Sequence, residues 1–167
     1  NGGMPRDYQL QTRLFVARDL ETTFGFFADA GNLQRLTPPW LDFSIVTPQP
    51  IPMRAGTLID YRIRVHGIPI RWRTDIAEWQ PPHRFVDRQL RGPYRLWHHT
   101  HTFAPVAGGT LVEDTVRYRP LGGALVHALF VRRDLQGIFT FRQEAILNAF
   151  GVTARDPISV SIEPVLI

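Results

Sequence analysis

From Tyr8 to Val16 apolar and polar side chains alternate, the two-residue period of a half-buried strand. At Asp19-Leu20-Glu21-Thr22 the spacing becomes helical, with Asp19 placed as N-cap and Leu20, Phe24 and Phe27 on one apolar face. A second short helix is predicted over Ala30–Leu36. Thr37-Pro38-Pro39 stops it, because proline lacks an N–H and restricts the residue before it. From Leu41 the period returns to two. Strands are predicted over Asp42–Thr47, Thr57–Val65, Ile70–Trp79, Phe85–Leu90, Tyr94–Phe103 and Thr110–Arg119. Their short links (His66-Gly67, Pro81-Pro82, Gly92-Pro93, Gly108-Gly109) imply antiparallel hairpins. The period then changes a third time. Ala124–Phe150 reads as one long helix with Leu125, Leu129, Leu135, Phe139, Arg142, Ile146 and Phe150 facing inward and Gly151 as its C-cap.

This order predicts an α+β domain: a curved antiparallel sheet of about seven strands wrapped around a long C-terminal helix, with two short helices between the first two strands. One sheet face must be covered, and the long helix is the only element large enough to cover it. A hollow is expected between them. The domain is placed at residues 4–151, and Asn1-Gly2-Gly3 ahead of Met4 reads as a vector-derived remnant. The tail, 152–167, alternates again at Ser159–Glu163. An added edge strand, exchange with a neighbour and disorder all remain open for it.

Composition narrows the chemistry. The 167 residues are 44% hydrophobic and 20% charged, with no run long enough for a membrane span and no signal peptide. A cytoplasmic protein is expected. Cysteine is absent, which removes disulfides, thiolate catalysis and Cys-based zinc sites. All 19 basic residues are arginine, so Schiff-base and P-loop lysine chemistry is excluded as well. The net charge of +4 is scattered: Arg62, Arg64, Arg71 and Arg73 alternate with apolar residues, as on a wet sheet face. Nucleic-acid binding would call for a clustered basic stripe, so none is expected.

One strand departs from core composition. In Gly92–Phe103, alternation puts Trp97, His99, His101 and Phe103 on one face. Apolar content assigns Ile59, Tyr61, Ile63, Trp72, Thr74, Ile76, Val112, Asp114, Val116 and Tyr118 to the inside. Pairing Phe103 with Val112 across a four-residue loop, Val106–Gly109, sets His101 opposite Asp114 and His99 opposite Val116.

The chain resembles the SRPBCC superfamily, the START-like or helix-grip proteins, over roughly residues 8–150. It is most similar to bacterial ligand-binding "cyclase/dehydrase" members. The resemblance rests on Asn32-Leu33-Gln34-Arg35-Leu36-Thr37-Pro38-Pro39, Trp72 with Ile76, Phe85-Val86-Asp87-Arg88-Gln89, Gly92-Pro93-Tyr94 and Trp97–Phe103. Gly109-Thr110 with Asp114, Tyr118, Pro120-Leu121-Gly122 and Ile138-Phe139 with Arg142 complete it. It implies a helix-grip fold, and it favours Phe85, Asp87 and Gln89 on the inner face. The superfamily includes carriers, receptors and cyclases, so it does not fix a reaction.

The expected ligand-binding set is Tyr61, Trp72, Asp87, Gln89, Trp97, His99, His101, Phe103, Tyr118, Phe139 and Arg142. Three readings stand for its polar members: a self-satisfied core network, the polar end of an apolar pocket, or a metal site built on His99-x-His101 with Asp87 or Asp114. The resemblance implies no metal, and no cofactor is expected. Read as an enzyme, a cyclase or dehydratase would use His101 and Asp114 as its acid–base pair. The favoured partner is a small hydrophobic or amphipathic molecule; a homodimer is left open, as is an interaction module with a collapsed cavity. Arg142 is expected to pair with Asp87 or Asp114, and His66 and His83 to face solvent at turns. His127 is expected on the polar side of its helix. Trp40, Leu41 and Phe43 are expected at a cavity mouth or under a loop.

Overall fold

The structure, a computed structural model, describes residues 6–166, so the expected domain start at Met4 lies outside the described residues. Strand β1 (Tyr8–Val16) leads into α1 (Leu20–Ala28) and, after a short 3-10 turn, α2 (Leu33–Leu36). Seven further strands follow in chain order: β2 (Ser44–Ile45), β3 (Leu58–Val65), β4 (Ile68–Gln80), β5 (Arg84–Arg91), β6 (Tyr94–Val106), β7 (Gly109–Pro120) and, at the C-terminus, β8 (Ser161–Pro164). Between β7 and β8 lie α3 (Gly123–Val126), a π-turn at His127–Val131 and α4 (Arg132–Phe150). All eight strands form one antiparallel sheet in the order β2-β3-β4-β5-β6-β7-β1-β8. The tail therefore adds an eighth strand, pairing Leu10 with Ile162 along β1.

Local chemistry accounts for the boundaries. The Asp19 carboxylate accepts from the Thr22 N–H and caps α1, a contact typically worth about 1 kcal/mol. His66 and Gly67, both at positive φ, make the two-residue turn between β3 and β4 that suits the twist of a hairpin. The Gly151 N–H bonds the Asn148 carbonyl and the Val152 N–H bonds Leu147, closing α4 in the left-handed conformation that glycine tolerates. Register between β6 and β7 matches the expectation, but through a tighter turn: Val106 pairs Gly109, leaving two residues in the loop. A side chain at Gly109 would sit 2.1 Å from the Val16 carbonyl, so close packing against β1 requires glycine there.

The long helix departs from its predicted period. The π-turn widens one turn by a residue, rotating the downstream helix by about 100° against a continuous α-helix. Leu135, Phe139, Arg142 and Ile146 consequently face the sheet, whereas Leu125 and Leu129, expected on the same face, are 70% and 58% exposed. His127 is corrected in the opposite sense. It is buried, stacked 3.5 Å from the Tyr8 ring, and its Nε2 takes the Tyr118 hydroxyl at 2.6 Å.

The core has two main parts. Leu14, Val16, Phe24, Phe27, Phe103 and Ile146 close one end of the grip. Leu10, Ile63, Trp97, Val116, Leu135 and Phe139 belong to the other. Between sheet and α4 a hollow remains, lined from both sides. Two irregularities in β4, at Arg73/Thr74 and Ile76/Glu78, accompany the curvature that holds them apart.

Candidate functional site

The space between sheet and helix is a cavity of about 490 Å³, so it is not collapsed. Its walls are mainly apolar, with Ile59, Ile63, Trp72, Trp97, Leu135 and Phe139 prominent. Tyr61 stacks on Trp72, and the Tyr61 hydroxyl and Trp72 indole N–H both meet the Thr74 hydroxyl, at 3.2 and 3.1 Å. The exposed lining residues Trp40, His66 and Leu121 mark where the cavity meets solvent. Leu41 and Phe43 line it below Trp40, and the exposed His66 ring holds Asp134 of α4 at 2.8 Å across the rim.

Of the cavity's buried polar lining, His99, His101 and Arg142 gather at one wall, beside Asp87. Register places Asp87 opposite His99 and His101 opposite Asp114, so β5, β6 and β7 bring two carboxylates and two imidazoles together. His99 Nε2 donates to Asp114 Oδ1 at 2.8 Å. His101 Nε2 donates to Asp87 Oδ2 at 2.5 Å, and its Nδ1 lies 3.2 Å from Asp114 Oδ1. Asp114 Oδ2 accepts from Arg142 Nε and from the Thr12 hydroxyl, each at 3.2 Å. The two imidazoles stack with centroids 3.6 Å apart, and Phe85 covers the outer face of His101 at 4.0 Å.

These contacts set the charge on each group. Burial pushes the Asp114 carboxyl up, but Arg142 and the two histidines outweigh it and hold the group well below the carboxylate range. Asp87 is likewise lowered against burial, by His99, His101 and Arg142. Burial works against charge on His101, yet its bonds to Asp114 and Asp87 raise it above the ordinary imidazole value. His99 goes down, through burial and the neighbouring His101 charge, despite both carboxylates. Two stacked imidazoles do not both carry a proton charge easily, and His101 is the one that touches both carboxylates. An ionised Asp114 only accepts, so His99 is protonated on Nε2. Its Nδ1 is then a bare lone pair, 3.8 Å from Asp87 Oδ2.

Of the expected set, Tyr61, Trp72, Asp87, Trp97, His99, His101, Phe139 and Arg142 line the cavity. Gln89, Phe103 and Tyr118 do not. The Gln89 amide closes the β5–β6 hairpin by bonding both backbone groups of Tyr94. Phe103 is packed between Phe24 and Phe27, and Tyr118 is spent on His127. Asp114 sits behind the histidines rather than on the wall. Sequence reasoning misses Thr12. It is the one polar member of the buried row Tyr8, Leu10, Thr12, Leu14, Val16, an irregularity that alternation alone exposes.

Solved structures share this fold. A nucleoside-diphosphate sugar epimerase from Corynebacterium glutamicum is 24% identical with a TM-score of 0.61; the match covers 84% of this chain but only 29% of that one. Protein Ms6760 from Mycobacterium smegmatis is 19% identical, with a TM-score of 0.59 and coverage of 86% and 88%. The di-domain ARO/CYC StfQ from the steffimycin biosynthetic pathway is 13% identical, with a TM-score of 0.62 and coverage of 88% and 53%. The chain thus spans less than a third of the epimerase and about half of StfQ. No curated protein matches the sequence. The family model described as polyketide cyclase / dehydrase and lipid transport matches residues 9–146. With the sheet gripping α4 around an apolar cavity and a family match over most of its length, this chain belongs to the polyketide cyclase/dehydrase and lipid-transport family, of SRPBCC type.

Proposed function

We propose that the protein binds a small, largely apolar molecule in the cavity and holds a hydrogen-bond donor of that molecule between His99 Nδ1 and Asp87. The observation that carries this reading is a pair of neighbouring acceptors, His99 Nδ1 and Asp87, set in the wall of a largely apolar hollow. A volume of about 490 Å³ is within the range typical of small-molecule sites. The other polar atoms of the cluster are paired with one another, so a ligand hydroxyl has a defined place to go. Native mass spectrometry of protein from its own host should reveal a bound organic molecule. In vitro, quenching of Trp72 and Trp97 fluorescence should report binding of 2-naphthol more tightly than naphthalene, by about 1–1.5 kcal/mol for one hydrogen bond. His99→Leu should erase that difference. Equal affinities in the wild type would defeat the proposal.

A second reading, acid–base catalysis, is favoured by a specific feature of His99. Its far nitrogen is fixed by a carboxylate, its near nitrogen is unprotonated, and it faces the cavity, which is the arrangement a general base needs. In this reading His99 takes the proton on Nδ1 and gives it back to the ligand, while Asp114 orients the ring. The sequence pairs His101 with Asp114 in these roles instead; both nitrogens of His101 already face carboxylates. Deuterium exchange at the central carbon of a 1,3-diketone, accelerated by wild type and lost in His99→Gln, tests this role directly.

A further inference from the structure

The two-carboxylate, one-guanidinium cluster carries a formal charge of −1 when both imidazoles are neutral. A buried negative charge calls for a cation. A proton on His101 is one answer, but the arrangement of donor atoms fits a second. One ligating atom from each of Asp87, His99 and His101 lies within 4.8 Å of the other two. Two imidazole nitrogens and a carboxylate oxygen are the ligands that borderline first-row transition ions prefer. All three residues line the cavity, so a metal held there would keep open positions facing whatever the cavity contains.

The surroundings match what such a site needs. Metal-bound histidines pass their second ring nitrogen to a carboxylate, which fixes the tautomer. Here Asp114 Oδ1 bonds the far nitrogen of His99 at 2.8 Å and lies 3.2 Å from that of His101, which Arg142 Nη2 also approaches at 3.4 Å. Arg142 and Thr12 anchor the other oxygen of Asp114 from two different elements. Metal–ligand distances of about 2.0–2.1 Å place ligand atoms roughly 3–3.5 Å apart. His99 Nδ1 and Asp87 Oδ2, at 3.8 Å, are near that spacing. His101 Nε2 and Asp87 Oδ2, at 2.5 Å, are closed on a proton and must part by less than the width of a water molecule. Asp87 is the member with room to move, its side chain being 18% exposed against 2% for Asp114.

We propose that Asp87, His99 and His101 form a binding site for one divalent transition ion of the zinc or iron(II) class, with Asp114 as the positioning carboxylate behind both histidines. With the ion in place and both imidazoles neutral the cluster carries +1, a charge suited to an anionic or strongly polarised oxygen on the cavity ligand. This goes beyond the organic-ligand reading, in which His99 Nδ1 meets that ligand directly. Zn²⁺ titrated by calorimetry into untagged, chelator-stripped full-length protein should bind with one equivalent per chain. Asp87→Asn should abolish binding, and Asp114→Asn should weaken it 10–100-fold, the usual effect of losing a carboxylate partner to ligating histidine. Should the variants fail to fold, X-ray absorption of the zinc-loaded wild type decides. Two imidazole nitrogens at about 2.0–2.1 Å support the site, and their absence overturns it. No saturable binding, or binding that Asp87→Asn leaves intact, also overturns it. Because no organic ligand is present in the titration, either failure leaves the naphthol experiment free to succeed or fail independently.

Discussion

A single residue shows how tertiary burial resets chemistry. His127 occupies a helical position that sequence spacing assigns to solvent, yet it is wedged between Tyr8 and the Tyr118 hydroxyl. Burial, then the nearby Arg132 charge, lowers its pKa, while burial raises that of Tyr118, so Tyr118 donates and neutral His127 accepts. Protonation would remove the acceptor. Because the folded pKa is below the unfolded value of about 6.5, the contribution is complete above that pH and is lost as pH falls through the folded pKa. The stability advantage of wild type over His127→Gln should therefore shrink below about pH 6.5. Urea midpoints measured from pH 8 to 5 check this, and parallel curves would remove the assigned role. The same scale separates His99 from His101. Alternation puts both on one face, but only the three-strand arrangement shows that Asp87 occupies His101 while leaving Nδ1 of His99 unpaired.

Among elements, the strands are legible in the sequence and the long helix only half so. A two-residue period survives any local twist, so β3 through β7 match their predicted ends within a few residues. A 3.6-residue period accumulates phase, and one extra residue in the π-turn shifts everything beyond it. Leu125 and Leu129 fit the sequence face and miss the structural one. Leu129→Ser should consequently change stability by no more than about 0.5 kcal/mol. Leu135→Ala, which empties a buried position beside the cavity, should cost about 2–5 kcal/mol in chemical denaturation. Equal costs at the two positions would mean that the helix face is wrong. Gln89 teaches a related lesson: its strand face is inward, but the backbone of Tyr94, five residues on across the hairpin, captures its amide.

For the whole molecule, the tail closes the sheet on one side. Ile162 is buried against the core, and Arg132 bonds its carbonyl. Deleting residues 158–167 should lower stability by roughly 2–5 kcal/mol, the range for emptying such a position, and should promote association through the uncovered β1 edge. Urea unfolding and size-exclusion chromatography measure both; unchanged values would make the strand peripheral. Among the described residues no helix is long and apolar enough to cross a membrane, which does not bear on spanning by strands. Sequence alone determined the order of elements through the long helix, the antiparallel meander and the inward turn of His99, His101 and Asp114, because period and local turn chemistry act over a few neighbouring residues; its motifs carried the resemblance to the family. Tertiary structure decided the pairing of Asp87 with His101, the sharing of Asp114 by two histidines, Arg142 and Thr12, the burial of His127 and the volume of the hollow. Those depend on how far a curved sheet stands from the helix it grips, and on contacts between residues more than a hundred positions apart, such as Thr12 and Asp114, which no local period encodes.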